Sequence, residues 1–226
     1  MLLAAGFGSR LRPLTDTVPK ALVEVQGRPL LHHQLSCLAG AGAQRTVINL
    51  GHLGHRIEQW IEAEGAPAGL EIVFSREPPE APLETGGGLR TALELLGGDP
   101  FWVLNCDIWA RFDWPQLRPL EGGELGRLWV VDAVVHAGSS EEADFSLDAE
   151  GRLHPPGAPG CRSVIYAGAG LVHPELVRLV EAPRYSLTEC LHLAVQAGKL
   201  KAHVHDRAWI DIGSIRGLER AQNLKL

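Results

Sequence analysis

The sequence lacks several features that mark other classes of protein. It has four cysteines in 226 residues, Cys37, Cys106, Cys161 and Cys190, and no two of them form a C-x-x-C pair. It also has no apolar run of membrane-spanning length and no secretory signal at its start. We therefore expect free thiols, a cytoplasmic location, no zinc site and no membrane partner.

Positive charge is also scarce. Lysine and arginine number 21 against 27 aspartates and glutamates, so the formal net charge at pH 7 is -6. This balance argues against a nucleic-acid partner, because non-specific binding to nucleic acid needs a basic surface. A local cluster of basic side chains can still bind an anionic small molecule.

Apolar runs of strand length alternate with amphipathic stretches of helix length. The predicted strands are 2–5, 45–50, 71–75, 101–105, 128–135, 162–166, 169–172 and 201–205. The predicted helices are 30–41, 55–64, 86–96, 174–179, 187–197 and 215–223. Several strands are continuously apolar, which is typical of strands buried on both faces. We expect a single α/β domain over 1–226, a three-layer α/β/α sandwich with a mixed, mostly parallel central sheet. The stretch 135–160 breaks the alternation and predicts an excursion with short strands.

The first predicted strand runs into a loop that contains Gly6 and Gly8, followed by Ser9 and Arg10. Glycine lets a backbone approach a ligand closely, and successive amides in such a loop form a concavity that suits phosphate oxygens. The Arg10 guanidinium can hold a phosphate with two hydrogen bonds, and Lys20 supplies a second positive charge. The segment predicts a phosphate-binding loop. It is neither a Walker loop nor a dinucleotide fingerprint, since Leu11 stands where the latter needs a third glycine.

Two aspartates are candidates for a metal site. Asp107 comes two residues after Asn105, which ends the predicted strand 101–105. Asp211 lies in the C-terminal string W-I-D-I-G. Ligands of open α/β sheets bind at the carboxyl ends of strands. Two carboxylates beside phosphates are typical of magnesium, although an isolated aspartate at a strand end is more often a turn or cap residue.

A second glycine-rich segment, L-E-T-G-G-G over 83–88, precedes a predicted helix. We expect its three glycines to expose backbone amides at the helix N-terminus, where they could bind a base edge or a phosphate. The alternative is a flexible start to the helix.

The string L-A-A-G-F-G-S-R-L-R-P-L-T, the following P-K and the C-terminal W-I-D-I-G together resemble the signature of the sugar-phosphate nucleotidyltransferases. The resemblance implies a Rossmann-like nucleotidyltransferase fold. It implies catalytic roles for Arg10, Lys20, Asp107 and Asp211, with Mg²⁺ held by the two aspartates. It also implies that the nucleotide is bound by Leu3, Ala4, Ala5, Gly6, Gly8, Ser9, Arg10, Lys20 and Asn105.

Within that family, L-E-T-G-G-G, Val47-Ile48-Asn49 and Asp144-Phe145 are similar to the short uridylyltransferases of cell-wall sugar recycling. Those enzymes join UTP to N-acetylmuramate 1-phosphate. The similarity implies that the base is bound by Glu84, Thr85, Gly86 and Gly87. It implies that the sugar phosphate is bound by Asn105, Asp144 and Gly168, although Asp144 could be a turn residue and Gly168 a bulge.

Several alternatives stay open at this point. Cys106 stands where the family usually has glycine, and no E-K-P segment is present. The base and sugar could be those of a guanylyl-, thymidylyl- or cytidylyltransferase acting on mannose, heptose or glucose 1-phosphate or on phosphocholine. A non-catalytic nucleotide-binding subunit is a further alternative. A metal-dependent glycosyltransferase is disfavoured because Asn105 breaks the D-x-D motif. The chain is expected to be a monomer or a homodimer.

Overall fold

The computed structural model describes residues 1–114, 119–136 and 143–224. The strands are β1 (Leu2–Leu3), β2 (Glu24–Val25), β3 (Arg28–Pro29), β4 (Arg45–Leu50), β5 (Glu71–Arg76), β6 (Phe101–Asn105), β7 (Ile108–Ala110), β8 (Gly126–Asp132), β9 (Phe145–Leu147), β10 (Leu153–His154), β11 (Arg162–Val172), β12 (Leu200–Val204) and β13 (Trp209–Asp211). The helices are α1 (Leu30–Gly40), α2 (Gly54–Glu64), α3 (Glu84–Thr91), α4 (Leu93–Leu96), α5 (Ala133–His136), α6 (Pro174–Val177), α7 (Leu187–Gln196) and α8 (Ile215–Asn223).

Nine of these strands form one mixed sheet. Its main path is β10-β9-β11-β6-β1-β4-β5, and β8 pairs with both β11 and β12. β1, β4, β5 and β6 are parallel, whereas β11 runs antiparallel to β6, β8 and β9. Every strand of the sheet except β10 and β11 therefore points the same way, which agrees with the expectation of a mixed, mostly parallel sheet.

The sheet is covered on both faces. Successive residues of the buried strands pack on opposite sides, so that Leu3 and Val103 join one apolar cluster while Leu2 and Leu104 join another. Helices α3, α6 and α7 contribute to the first cluster, and α1 and α2 contribute to the second. Burying each large aliphatic side chain contributes about 1.5–3 kcal/mol. The expected three-layer α/β/α arrangement is confirmed.

Local side-chain hydrogen bonds set several helix boundaries. Ser186 and Glu189 form a capping box at the start of α7, and Ser214 Oγ accepts from Gly217 N at the start of α8. After β8, Asp132 Oδ1 accepts from the backbone N–H of the next two valines at 3.0 and 3.2 Å. This turns 133–136 into the helical turn α5, and the predicted strand 128–135 was wrong beyond Asp132 for that reason.

Other boundaries also differ from the sequence-based predictions. The strand predicted at 2–5 ends at Leu3, and the helix predicted at 86–96 begins at Glu84 and is interrupted at Ala92. The strands predicted at 162–166 and 169–172 are one strand, β11, which bends at Gly168 with φ 76°. The short strands expected within 135–160 include β9 and β10, while 137–142 lie outside the described residues.

A third apolar cluster joins distant parts of the chain near the N-terminal loop. Leu11, Val23 and Leu30 pack there with Trp109 of β7 and Ile210 of β13. Since β7 and β13 follow β6 and β12, this cluster fixes the loop against the carboxyl ends of the sheet. In the described ranges, no helix has the length and apolar character required to cross a membrane.

Candidate active site

A cleft of about 410 Å³ lies at the carboxyl ends of β1 and β6. Most of the nucleotide-binding residues predicted from the sequence line it: Leu3, Ala4, Ala5, Gly6, Gly8, Ser9, Arg10, Lys20, Glu84, Thr85 and Asn105. Asp107 and Gly213 also line it. A larger concavity of about 870 Å³, between α1 and residues 109–114, is lined by none of the predicted site residues.

The N-terminal loop is held in a defined shape beside this cleft. Gly8 has φ 63° and a Cβ there would lie 2.9 Å from Thr15 Cγ2, so both its conformation and its surroundings favour glycine. Its carbonyl accepts hydrogen bonds from Thr15 Oγ1 and Leu11 N, each at 2.9 Å. Around a Cβ placed on Gly6, by contrast, no atom lies within 4 Å, so this glycine faces open space.

Two short strands bring the aspartates together. β7 and β13 pair antiparallel with Asp211 opposite Ile108, and Ile212 N donates to Asp107 O at 2.9 Å. Burial raises the pKa of the Asp211 carboxyl, and the nearby Asp107 raises it further, while Lys20 and Arg10 oppose the shift. The aspartates, distant in sequence, therefore form one electrostatically coupled pair.

A basic side chain approaches each aspartate. Lys20 Nζ contacts Asp107 Oδ2, and the lysine side chain is 12% exposed. Arg10 Nη2 lies 3.7 Å from Asp211 Oδ2 and its side chain is 68% exposed. An exposed ion pair of this kind contributes roughly 0–1 kcal/mol to stability. The Arg10–Asp211 ion pair therefore contributes little to stability. The Arg10 guanidinium remains free to bind an anion in the cleft.

The oxygen atoms at this site suit a hard cation. Asp211 Oδ1 and Asn105 Oδ1 are buried and have no hydrogen-bond partner in the described residues. Buried acceptors without a donor are costly unless a ligand satisfies them. No three His, Cys, Asp or Glu side chains of the described part of the chain are grouped to hold a metal. Magnesium needs fewer, since it commonly takes one or two carboxylates with phosphate oxygens and water.

Cys106 lies between the two site residues Asn105 and Asp107. Its side chain belongs to the apolar cluster that contains Ala4 and Ile108, and the residue is 5% exposed. Burial raises the pKa of the thiol to about 12. The residue is therefore a neutral core group, so the departure from glycine adds no charge beside the aspartates.

The glycine run 86–88 is used differently from the expectation. Gly86 N and Gly87 N both donate to Tyr185 O, at 3.0 and 3.1 Å, and all three glycines are buried. A Cβ on Gly86 would overlap the Tyr185 ring, and one on Gly87 would lie 2.6 Å from Pro183 O. The prediction of exposed amides was wrong, because these glycines let α3 pack closely against 183–186.

The two residues before that run do face the cleft. Glu84 has φ 67°, an uncommon conformation for a residue other than glycine, and its carboxylate pairs with Arg184 at 2.9 Å. Thr85 Oγ1 accepts from Leu187 N at 2.8 Å. Arg184 also lines the cleft. No local sequence signal indicated this arginine, since it is brought in by the packing of α3 on 183–186.

Two buried polar residues that sequence reasoning did not assign, Asn49 and Glu77, also line the cleft. Asn49 accepts a hydrogen bond from Ala4 N and donates one to Glu77. Asn49 was part of a string that resembled the family, and that was the available signal for its role. Glu77 lies in the loop 76–82, which has three prolines and two glutamates and was predicted to form a wall beside the L-E-T-G-G-G segment, but no role was predicted for this residue.

The residues predicted for the sugar side lie near β11. Gly168 forms a bulge in β11, and a Cβ there would lie 3.1 Å from Asn105 Nδ2. Asp144 is not among the residues that line the cleft. Its Oδ2 accepts from Tyr166 N at 2.8 Å, and burial raises its pKa. Gly168 is therefore adjacent to the site, whereas Asp144 anchors the start of β9 to β11.

The chain is similar to known proteins in sequence. The sequence model of the family described as nucleotidyl transferase matches residues 1–119. An N-acetylmuramate alpha-1-phosphate uridylyltransferase of Neisseria meningitidis is 35% identical, over 99% of this chain and 96% of the relative. A mannose-1-phosphate guanylyltransferase catalytic subunit beta of Danio rerio is 31% identical, over 94% of this chain and 60% of the relative.

Solved structures share the fold. HddC from Yersinia pseudotuberculosis complexed with GMP-PN has a TM-score of 0.76 at 21% identity, covering 98% of this chain and 96% of that one. The family match spans more than half of the chain, and the uridylyltransferase relative is similar over almost all of it. This chain therefore belongs to the nucleotidyl transferase family.

Proposed function

We propose that this protein transfers UMP from UTP to N-acetylmuramate 1-phosphate, which yields a nucleotide-sugar and pyrophosphate. The observation that carries the proposal is the convergence in one cleft of the N-terminal loop, Lys20 and Asp107, with Asp211 directly behind Gly213. This is the set of groups that phosphate chemistry needs: backbone amides, cations and a carboxylate pair.

The reaction requires positioning more than covalent chemistry. An oxygen of the sugar 1-phosphate attacks the α-phosphorus of the nucleotide, and the bond from that phosphorus to the oxygen bridging it to the β-phosphorus breaks as pyrophosphate leaves. The nucleophile is already an anion, so no general base and no covalent enzyme intermediate are needed. In our proposal the loop from Gly6 to Ser9 and Arg10 hold the triphosphate, and Lys20 offsets the negative charge that builds on the leaving group.

Asp107 and Asp211 are the residues that we assign to magnesium. The unpartnered Asp211 Oδ1 and Asn105 Oδ1 support the assignment, because they are buried acceptors that a cation would satisfy. The raised pKa of Asp211 supports it as well, because a bound cation would favour the ionised carboxylate. Bound there, the ion would neutralise phosphate oxygens and act as a Lewis acid. Lys20 Nζ also contacts Asp107 Oδ2 and offsets part of the charge of that carboxylate.

We prefer uridine as the base because the uridylyltransferase relatives are matched over more of their own length than the guanylyltransferase relative. The uridylyltransferase relatives from Neisseria meningitidis and Caulobacter vibrioides are covered over 96% and 90% of their own length. The guanylyltransferase relative from Danio rerio is covered over 60%, although it spans 94% of this chain. Guanylyl transfer to mannose 1-phosphate is therefore the second candidate. We assign the base side to Glu84 and Thr85, and no longer to the amides of Gly86 and Gly87.

For the sugar phosphate we propose Asn105 and Gly168 as the neighbouring groups, with Asp144 holding β9 in place behind them. We propose that residues 1–226 act as one nucleotidyltransferase domain, as a monomer or a homodimer, without nucleic acid. A cytoplasmic location is supported by the four cysteines, all of which are free.

A panel of nucleoside triphosphates against a panel of sugar 1-phosphates, with pyrophosphate release as the readout, tests the proposal. UTP with N-acetylmuramate 1-phosphate should give the highest kcat/KM. Asp107→Ala and Lys20→Ala should fold and lose roughly 10²–10³ in rate, by analogy with the removal of other transition-state contacts. Wild-type turnover in either variant would refute the site. Absence of turnover in the parent protein with every pair, despite nucleotide binding, would favour the non-catalytic alternative.

A further inference from the structure

A chain of buried hydrogen bonds crosses beneath the cleft. Ala4 N donates to Asn49 Oδ1 at 2.6 Å, and Asn49 Nδ2 donates to Glu77 Oε1 at 2.6 Å. The other carboxylate oxygen, Glu77 Oε2, accepts from Leu83 N at 2.8 Å. Asn49 is 3% exposed and Glu77 is 5% exposed. We name this chain of four groups the Asn49–Glu77 bridge.

The bridge joins the two walls of the cleft. Ala4 belongs to the N-terminal loop, and Leu83 directly precedes Glu84 on the opposite wall. Gly88 makes room for it, since a Cβ there would lie 2.8 Å from Asn49 Nδ2 and would overlap Glu77 Oε1. Glu84 keeps its uncommon backbone conformation next to the anchored Leu83 amide. Such conformations persist where surrounding contacts hold them.

The order of hydrogen-bond donors and acceptors along the bridge determines which residue types can form it. Both ends are backbone N–H donors, so the groups between them must present an acceptor at each end. Asn49 accepts from one end and donates onward, which leaves Glu77 facing a donor on each side. A carboxylate meets this demand because it is acceptor-only, whereas an amide would turn an NH₂ group toward a donor. Both carboxylate oxygens of Glu77 are thereby occupied within the protein.

We propose that Asn49 and Glu77 are positioning residues that set the spacing of the two cleft walls for nucleotide binding. The bridge touches the loop that starts at Ala4 and the segment that starts at Leu83, and these carry the groups assigned to the phosphates and to the base. Loss of a hydrogen bond in the bridge therefore lowers nucleotide affinity more than it slows the chemical step. The proposal rests on the proposed function, since it takes the occupant of the cleft to be a nucleoside triphosphate.

A charge-neutral swap tests the bridge. Glu77→Gln creates a donor facing a donor, and Asn49→Asp places two carboxylates against each other. The double variant Asn49→Asp/Glu77→Gln restores every pairing: Ala4 N and the glutamine NH₂ donate to the new aspartate, and Leu83 N donates to the glutamine oxygen. Its net charge equals that of the parent protein. If Asn49→Asp does not fold, Glu77→Gln and the double variant still decide the question.

Each single variant should weaken UTP binding, measured by calorimetry, and raise the KM for UTP by about tenfold, as expected when a buried donor is left unpaired (Glu77→Gln) or two buried carboxylates face each other (Asn49→Asp). kcat should change less. The double variant should return to within about threefold of the parent protein. Asp148→Asn is the matched control, because this carboxylate also accepts backbone N–H groups, from Glu150 and Arg152, at a turn outside the cleft. It should leave UTP binding unchanged.

The outcomes separate this inference from the proposed function. Single variants that melt earlier yet bind UTP like the parent protein would show a purely structural role and overturn the inference. So would a double variant as impaired as the sum of the singles. If the parent protein binds UTP and the swap restores binding but no sugar phosphate is turned over, the bridge stands and the proposed reaction fails.

Discussion

The two glycine-rich segments of this chain lie on opposite walls of one cleft and use glycine for different reasons. At Gly6 the missing side chain leaves open space, with no atom within 4 Å of a Cβ position. At Gly86 and Gly87 the space is filled by the Tyr185 ring and Pro183 O, and the amides are bonded to Tyr185 O. At Gly6 the first segment therefore leaves room for a ligand, whereas at Gly86 and Gly87 the space is filled by the protein itself.

A glycine run can therefore make room either for a ligand or for another part of the protein. From the sequence alone, both runs are compatible with a phosphate-binding loop, because glycine allows a close approach to the backbone. What approaches the backbone depends on the rest of the fold. Substitutions at the ligand-facing wall should change turnover, and substitutions at the packed wall should change stability.

The largest effect is expected on the ligand-facing side, for Asp211→Asn. Turnover should fall by roughly 10²–10³ while the melting temperature in metal-free buffer at pH 7.5 rises. Because the folded-state pKa of Asp211 is raised, the ionised carboxylate opposes folding above that pKa. The increase in melting temperature should shrink as the pH falls toward 3.8, the pKa of this carboxyl in the unfolded chain. A lower melting temperature at pH 7.5 would contradict the electrostatic argument.

Gly86→Ala should act on the packed side. Forcing a methyl group against the Tyr185 ring should cost about 1–3 kcal/mol, measured by urea unfolding. The KM for UTP of the folded variant should change little. In a Tyr185→Leu background the same substitution should cost less. Gly98→Ala is the matched control, since no atom lies within 4 Å of a Cβ there. Equal losses at both glycines would remove the packing argument.

Gly6→Ala should show the reverse pattern. Stability should stay within about 0.5 kcal/mol of the parent protein, because the new methyl group meets no protein atom. The KM for UTP should rise several-fold, since the methyl group occupies ligand space. An unchanged KM would show that the nucleotide does not approach this glycine.

The smallest effect is expected for Cys106→Ala, at the floor between the two walls. Turnover should stay within about twofold, and the stability cost should be about 1 kcal/mol for a buried group of this size. The parent thiol, with its pKa raised to about 12, should resist iodoacetamide at pH 8 in the folded protein, as followed by mass spectrometry. Rapid alkylation accompanied by loss of activity would instead show that reagent reaches the thiol from the cleft.

Hydrophobic runs were sufficient to predict the sheet and its layers. The strands 45–50 and 101–105 were predicted with the observed bounds, because Val47-Ile48 and the run Phe101–Leu104 give each of them an apolar centre. The N-terminal loop was also predictable, since its residues act through local backbone geometry. The two aspartates were identified through the family signature. Their pairing depends on β7 and β13, which have three residues each and are too short for a periodic pattern.

Other features depend on contacts between distant residues. α5 arises from the Asp132 side chain, which overrides the strand tendency of the valines that follow. The use of the glycine run is decided by Tyr185, and the Asn49–Glu77 bridge connects residues of three separate segments. A single sequence gives no periodic or compositional signal for such hydrogen bonds, because they depend on how loops meet after the sheet has formed.

The pairing of β7 with β13 has a consequence for biosynthesis. The chain emerges from the ribosome N-terminus first, so the N-terminal loop and Asp107 are synthesised long before Asp211. Contacts between residues far apart in sequence also form late for entropic reasons. The carboxylate pair can therefore be completed only after Trp209–Asp211 has joined β7. A nascent chain that ends before this strand has the N-terminal loop but not the acid pair, so under the proposed mechanism we expect it to be inactive until residues 209–211 have been added.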